Sequence, residues 1–164
     1  MNKRQRGFTL IELIVTMTVI SILATALAPM LLSGVELANV AYDTKGISSQ
    51  GRVTLELMAQ DIRNTKSGVS GANITTGANS LTVNTLTGKA ISFNKNGTDL
   101  IRAVNGTNST LANNITNLNF TYYTIGGTTT TAASLVRFVK LSFTMHQGVV
   151  SQTFTLIVAL RNIE

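Results

Sequence analysis

Residues 8–32 read FTLIELIVTMTVISILATALAPMLL, and Glu12 is the one formally charged side chain among these 25 residues. At about 1.5 Å per residue, a helix of this length crosses a hydrocarbon core of roughly 30 Å. An ionisable group inside such a segment costs free energy unless it is paired, which makes Glu12 a candidate functional residue. The stretch therefore predicts a membrane-spanning N-terminal helix that contains one carboxylate in need of a partner.

The residues before this span carry much of the positive charge of the chain. The formal net charge is +6, and Lys3, Arg4 and Arg6 contribute three of the basic residues; without them, 10 basic and 7 acidic residues leave +3. A basic flank at the start of a span predicts that this end stays in the cytoplasm and that the rest is exported. An ordinary secretory signal places its small residues after the apolar run, whereas Gly7 comes before it.

The hexapeptide GFTLIE, residues 7–12, follows this short basic leader and resembles the processing site of type IV prepilins and type II secretion pseudopilins. The resemblance implies that residues 1–7 are a leader, which a prepilin peptidase/methyltransferase cuts between Gly7 and Phe8 before it N-methylates Phe8. It also implies that Glu12 pairs with the amino terminus of a neighbouring subunit in the filament. Pro29 would permit a kink, because proline removes one hydrogen bond from a helix interior.

Downstream of the span, residues 33–66 are predicted to continue as an amphipathic helix. Leu55, Met58 and Ile62 recur at helical spacing and create one face to bury. Residues 67–80 read SGVSGANITTGANS, with three glycines and no charge. This composition is typical of a linker.

Residues 81–164 change to the two-residue periodicity of strands, which predicts an antiparallel sheet domain. The last hairpin is the clearest part, because each strand places its large apolar residues on one face (Val139, Leu141, Phe143 and Met145; Val150, Phe154, Leu156, Val158 and Leu160). A tight turn at Gln147-Gly148 predicts Met145 opposite Val150 and Leu141 opposite Phe154. The predicted class is α+β, with the long helix packed on one antiparallel sheet, an order of elements that resembles the pilin architecture.

The sequence offers little for catalysis. It contains no cysteine, and its one histidine, His146, lies beside the predicted turn. The acidic residues beyond Glu12 are too scattered to nominate a carboxylate pair. We therefore predict no enzymatic activity, no cofactor and no metal site.

Three classes of function remain for the exported domain. The first is a structural subunit of a bacterial type IV pilus, type II secretion pseudopilus or competence pseudopilus. The second is a DNA-binding minor pilin of a competence filament, since the final 98 residues carry six cations against two acids (Lys89, Lys95, Arg102, Arg137, Lys140 and Arg161; Asp99 and Glu164). The third is a solitary membrane-anchored adhesin or enzyme. The spread of the cations favours a solvated surface over a phosphate track, so nucleic acid is not the expected partner.

Two features favour a minor over a major subunit. Major pilins commonly close a C-terminal loop with a disulfide, which this chain cannot form. Minor subunits that initiate or cap filaments resemble it in the helix LELMAQDIRNT, residues 55–65, and in a terminal hairpin that closes on LRN. The resemblance implies single-pass residence in the inner (cytoplasmic) membrane, then transfer to a pilus or pseudopilus. The implied partners are other subunits, the peptidase/methyltransferase and the inner-membrane assembly platform.

Overall fold

The fold begins with one long helix. The computed structural model describes residues 8–65 and 74–160. Helix α1 runs from Leu10 to Arg63 and continues through Pro29 and three glycines. The chain divides into two compact units, Met1–Tyr42 and Asp43–Glu164, and α1 contributes residues to both.

The second unit holds two antiparallel sheets, of five and three strands among the residues described. The first sheet follows the order of the chain: β1 Ile74–Thr76, β2 Ser80–Asn84, β3 Ala90–Asn96, β4 Asp99–Val104 and β5 Thr107–Ala112. The second contains β6 Ile115–Tyr123, β7 Phe138–Gln147 and β8 Val150–Ala159. A 3-10 turn, Ala133–Leu135, precedes β7.

One apolar core joins both sheets to the part of α1 that belongs to the second unit. Met58 and Ile62 are fully buried, and Leu55 packs against the same core while remaining partly exposed. The predicted helix face is therefore confirmed. The buried face also includes Thr54 and Ala59, whose small side chains let the helix approach the sheets closely.

Helix α1 closely approaches the second sheet at Gly51. The ring of Phe154, from β8, lies where a Cβ atom of residue 51 would stand. That ring also stacks on Phe143 of β7, with the two ring centroids 5.3 Å apart. Glycine at this position is therefore a packing requirement, since any other side chain would displace the ring.

An ion pair connects α1 to the first sheet. The Arg102 side chain donates from Nε to Asp61 Oδ2 at 2.7 Å and from Nη2 to Asp61 Oδ1 at 3.1 Å. Both side chains are shielded, with 27% and 15% of their surface exposed. The hydrogen bonds to Asp61 raise the pKa of Arg102, although desolvation opposes the shift. This forked geometry fixes the end of the helix against β4.

The predicted α+β class, a long N-terminal helix followed by antiparallel sheet, is confirmed, with two sheets in the second unit, and part of the predicted linker is a strand. Strand β1 lies inside residues 67–80, and β2 already begins at Ser80; residues 66–73 fall outside the described part of the chain. Strand β5 was not predicted, because its first four residues are polar and exposed. It follows a two-residue turn, Asn105-Gly106, in which both φ angles are positive. Mostly polar edge strands such as these are held largely by backbone hydrogen bonds, so their sequences show no apolar alternation.

The predicted pairing of the last hairpin is wrong by two residues. Leu141 pairs with Leu156, and Phe143 pairs with Phe154. The pairing of Gln147 with Val150 leaves Gly148-Val149 as the two-residue turn, and Gly148 has a φ of +58°. A slip of two residues keeps every side chain on its own face, so the alternation of apolar residues does not select between the two registers.

Tyr122 of β6 connects the two sheets by hydrogen bonds to Gly77, which lies between β1 and β2. Its hydroxyl donates to the carbonyl of Gly77 at 2.9 Å and accepts from the N–H of Gly77 at 3.1 Å. Tyr122 is buried, with 5% of the residue exposed. Burial raises the pKa of Tyr122 to about 12 from its ordinary value of 10.0.

We expect this tyrosine to make the fold sensitive to alkali. The unfolded chain ionises at position 122 near pH 10 and the folded chain near pH 12, so a rise in pH through this window favours the unfolded state. Tyr122→Phe should therefore lose less stability than the wild type between about pH 9 and about pH 11. Urea unfolding at both pH values measures the difference, with Tyr123→Phe as the control. Equal pH dependence in wild type and Tyr122→Phe would contradict the assignment.

Candidate processing and assembly site

The N-terminal end of α1 is capped by the chain itself. The hydroxyl of Thr9 accepts a hydrogen bond from the N–H of Glu12 at 3.3 Å, and the carbonyl of Thr9 accepts from Leu13 at 3.3 Å. Threonine followed three residues later by glutamate is the pattern of a capping box. Thr9 was not among the residues predicted from the sequence, although this spacing identifies it.

Glu12 lies in the first turn of α1. A negative side chain there interacts favourably with the partial positive charge at the helix N-terminus, an effect worth about 0.3–1 kcal/mol. Among residues 8–65 and 74–160, two ion pairs are present, Arg63 with Glu56 and Arg102 with Asp61, and neither includes Glu12. The carboxylate can therefore take a partner from another molecule.

The surface around Glu12 is apolar and uncovered. Phe8 is 80% exposed and Leu10 is 78% exposed, and the large apolar residues from Leu13 to Leu32 are exposed as well. The helix is long and apolar enough to cross a membrane. An exposed apolar surface of this size requires lipid or other protein chains around it.

The hydroxyl groups of the span are satisfied within the helix. Thr16 donates to the carbonyl of Leu13 at 2.9 Å, and Thr18 donates to that of Val15 at 2.8 Å. Ser21 and Thr25 donate to carbonyls one turn earlier in the same way. These bonds lower the cost of placing hydroxyl groups in hydrocarbon, where water does not replace them.

The structure describes three of the four predicted processing and assembly residues. Gly7, like the rest of residues 1–7, lies outside the described part of the chain. Phe8 precedes the helix and is exposed, while Glu12 lies one turn further along. At Pro29 the helix assignment is unbroken, so the kink stays a prediction. Cleavage, methylation and pairing of these residues are predictions for experiment.

The structure does not bring the candidate catalytic, metal-binding and DNA-binding residues together into a site. His146 is exposed near the end of β7, and the described residues form no cluster of three or more metal-ligating side chains. Of the cations proposed for DNA binding, Arg102 is paired with Asp61, and Arg137 donates to the carbonyls of Ser134 and Val136. Arg161 falls outside the described residues. Two of the six cations therefore make hydrogen bonds within the fold.

Comparison with known families matches residues 2–28 to the prokaryotic N-terminal methylation motif. The match includes the Gly7-Phe8 junction and Glu12, and it supports a signature of the type IV pilin and pseudopilin kind. It ends one residue before Pro29 and covers 27 of the 164 residues. No curated protein matches the chain.

Proposed function

We propose that this chain is a structural subunit of a bacterial type IV pilus or type II secretion pseudopilus, and specifically a minor subunit. A prepilin peptidase/methyltransferase cuts it between Gly7 and Phe8 and methylates Phe8. The processed chain stays in the inner membrane as a single-pass protein with its C-terminal unit exported. The assembly platform then transfers it to the filament, where Glu12 pairs with the amino terminus of a neighbour.

The observation that carries the proposal is the combination of the methylation motif with the exposed helix that follows it. The motif occupies residues 2–28, and the large apolar side chains of Phe8–Leu32 are uncovered. A filament core made of such helices would bury this surface, as the lipid bilayer does before assembly. The same motif favours a structural subunit over an enzyme.

We expect the mature chain to begin at N-methyl-Phe8. Gly7→Val should leave the full-length precursor in the membrane, because a side chain next to the scissile bond obstructs the peptidase. The intact mass of the membrane-extracted protein measures both cleavage and methylation. Gly34→Val is the matched control, since Gly34 lies outside the motif and its Cβ position is open. A native chain that retains residues 1–7 would refute the proposal.

The minor-subunit assignment rests on the sequence of the exported domain. The absence of cysteine and the resemblance of residues 55–65 to subunits that initiate or cap filaments both support it. Quantitative mass spectrometry of sheared filaments decides the question, because a minor subunit is present at a small fraction of the main one. If this chain is the most abundant protein of the filament, it is the major subunit.

A further inference from the structure

Among residues 43–65 and 74–160, the second unit has four sheet edges, and they differ in how they are protected. Strand β1 has only three residues, and β5 is interrupted by a register shift opposite Leu100/Ile101. The outer edge of β6 receives hydrogen bonds from outside the strand, with Phe120 donating to Ala78 and Thr130 donating to Tyr122. Strand β8 has ten residues in unbroken register with β7 and contains no charged residue and no proline. Proteins normally protect edge strands with one of these devices, and within the described part of the chain β8 has none of them.

The backbone groups along the open side of β8 can be assigned. The N–H of Leu160 donates to the carbonyl of Arg137. The N–H of His146 in β7 donates to the carbonyl of Asn114, on the side of β7 that faces away from β8. In an antiparallel ladder the direction alternates, so the even-numbered residues of β8 bond to β7. The odd-numbered residues point their N–H and C=O groups to the open edge (Ser151, Thr153, Thr155, Ile157 and Ala159). No hydrogen bond from the described residues reaches those backbone groups.

The core is also incomplete along this strand. Val150, Leu156 and Leu160 pack against the core but remain partly exposed. A further strand beside β8 would place every second side chain over these three residues. Apolar side chains at those positions would extend the core, and the absence of charge in β8 means that a charged strand would find no counter-ion there.

From these observations we propose that the open edge of β8 binds an extended, uncharged segment of a different polypeptide as an added antiparallel strand. The segment alternates apolar residues, which cover Val150, Leu156 and Leu160, with small hydroxyl residues that face solvent beside Thr153 and Thr155. Its backbone hydrogen bonds supply affinity, and the alternation supplies specificity. This interaction surface is separate from the apolar N-terminal helix.

A second copy of the chain is a poorer occupant, and this step rests on the membrane-anchored subunit proposed above. Two β8 edges could pair antiparallel about a two-fold axis normal to the sheet. A two-fold axis produces a closed pair of copies, whereas a filament repeats its subunits head to tail by a screw operation. The pairing is therefore not compatible with the filament subunit proposed above.

The test measures amide hydrogen exchange by NMR on the full-length, isotope-labelled chain in detergent micelles. The probe is a synthetic peptide with the sequence of β8, residues 150–159, flanked by lysines for solubility; a scrambled peptide is the control. In the protein alone, the amides of Thr153 and Thr155 should exchange at least about tenfold faster than those of Phe154 and Leu156. The β8 peptide should slow the two threonine amides at least about tenfold, and the scrambled peptide should leave them unchanged.

A matched pair of variants at Thr155 assigns the binding to the edge. Thr155→Pro removes an outward N–H that β7 does not use, so the strand is retained and peptide binding should fall at least about tenfold. Thr155→Val keeps the N–H and should bind as the wild type does. If Thr155→Pro also loses protection at Phe154, Ile157→Lys takes its place, with Ile157→Thr as its control, because a charge on an edge strand opposes pairing.

Three results would overturn the proposal. Slow exchange of Thr153 and Thr155 at every protein concentration, without peptide, would mean that the chain covers its own edge. Protection that rises with protein concentration would mean that two copies pair. Failure of the β8 peptide to protect these amides would mean that the edge does not accept a strand. Each readout is independent of leader cleavage, so failure here leaves the proposed function to its own test.

Discussion

Glu12→Gln is expected to yield a subunit that is processed, resides in the membrane and is absent from the filament. In a low-dielectric filament core, the ammonium of a neighbouring Phe8 would remain without its counter-charge, which costs several kcal/mol. Since about 1.4 kcal/mol corresponds to a factor of ten, incorporation should fall by more than about tenfold. The ratio of sheared, filament-bound subunit to membrane-bound subunit measures the effect.

Glutamine is the informative substitution because it removes the charge and little else. It still fits a capping box with Thr9, so the start of α1 should survive. The Gly7-Phe8 junction is unchanged, and cleavage should proceed. Glu36→Gln is the matched control, because Glu36 is an exposed carboxylate of the same helix outside the span. Wild-type incorporation of Glu12→Gln would mean that the carboxylate has no role in assembly.

Gly51→Ala is expected to destabilise the second unit, although alanine is the better helix former. The new Cβ would overlap three atoms of the Phe154 ring, which is itself stacked on Phe143. Overpacking of this kind typically costs about 1–3 kcal/mol, more than the gain of about 0.5–1 kcal/mol from helix propensity. Urea unfolding, followed through tyrosine fluorescence, measures the net loss.

Gly46→Ala provides the control within the same helix. Its Cβ would meet nothing within 4 Å, so only the helix propensity changes and the free energy of unfolding should rise by about 0.5–1 kcal/mol. Combining Gly51→Ala with Phe154→Leu should recover part of the loss, because the smaller side chain leaves room for the methyl group. A stabilising effect of Gly51→Ala alone would show that the Phe154 ring moves aside at little cost.

The sequence by itself determined the apolar span with its motif, and it determined which faces of α1, β7 and β8 are apolar. A single charge, Glu12, within 25 largely apolar residues, a basic leader and the GFTLIE motif need no tertiary information, because lipid selects for hydropathy along a single helix. The buried positions Met58 and Ile62, and the apolar sides of β7 and β8, follow from periodicity in the same way. Thr9 was also readable from its spacing to Glu12.

Only the tertiary structure decided which elements meet and in which register. The apolar pattern of β7 and β8 is unchanged by a slip of two residues, and it was the Gly148-Val149 turn that set Phe143 against Phe154. Strands β1 and β5 are mostly polar, and each buries one apolar residue, Ile74 and Ala112, which is too few to produce a periodicity in the sequence. Gly51 and the Phe154 ring that packs on it are 103 positions apart in the sequence. Asp61 and its partner Arg102 are 41 positions apart. Such contacts depend on the path of the chain in space, which local periodicity does not encode.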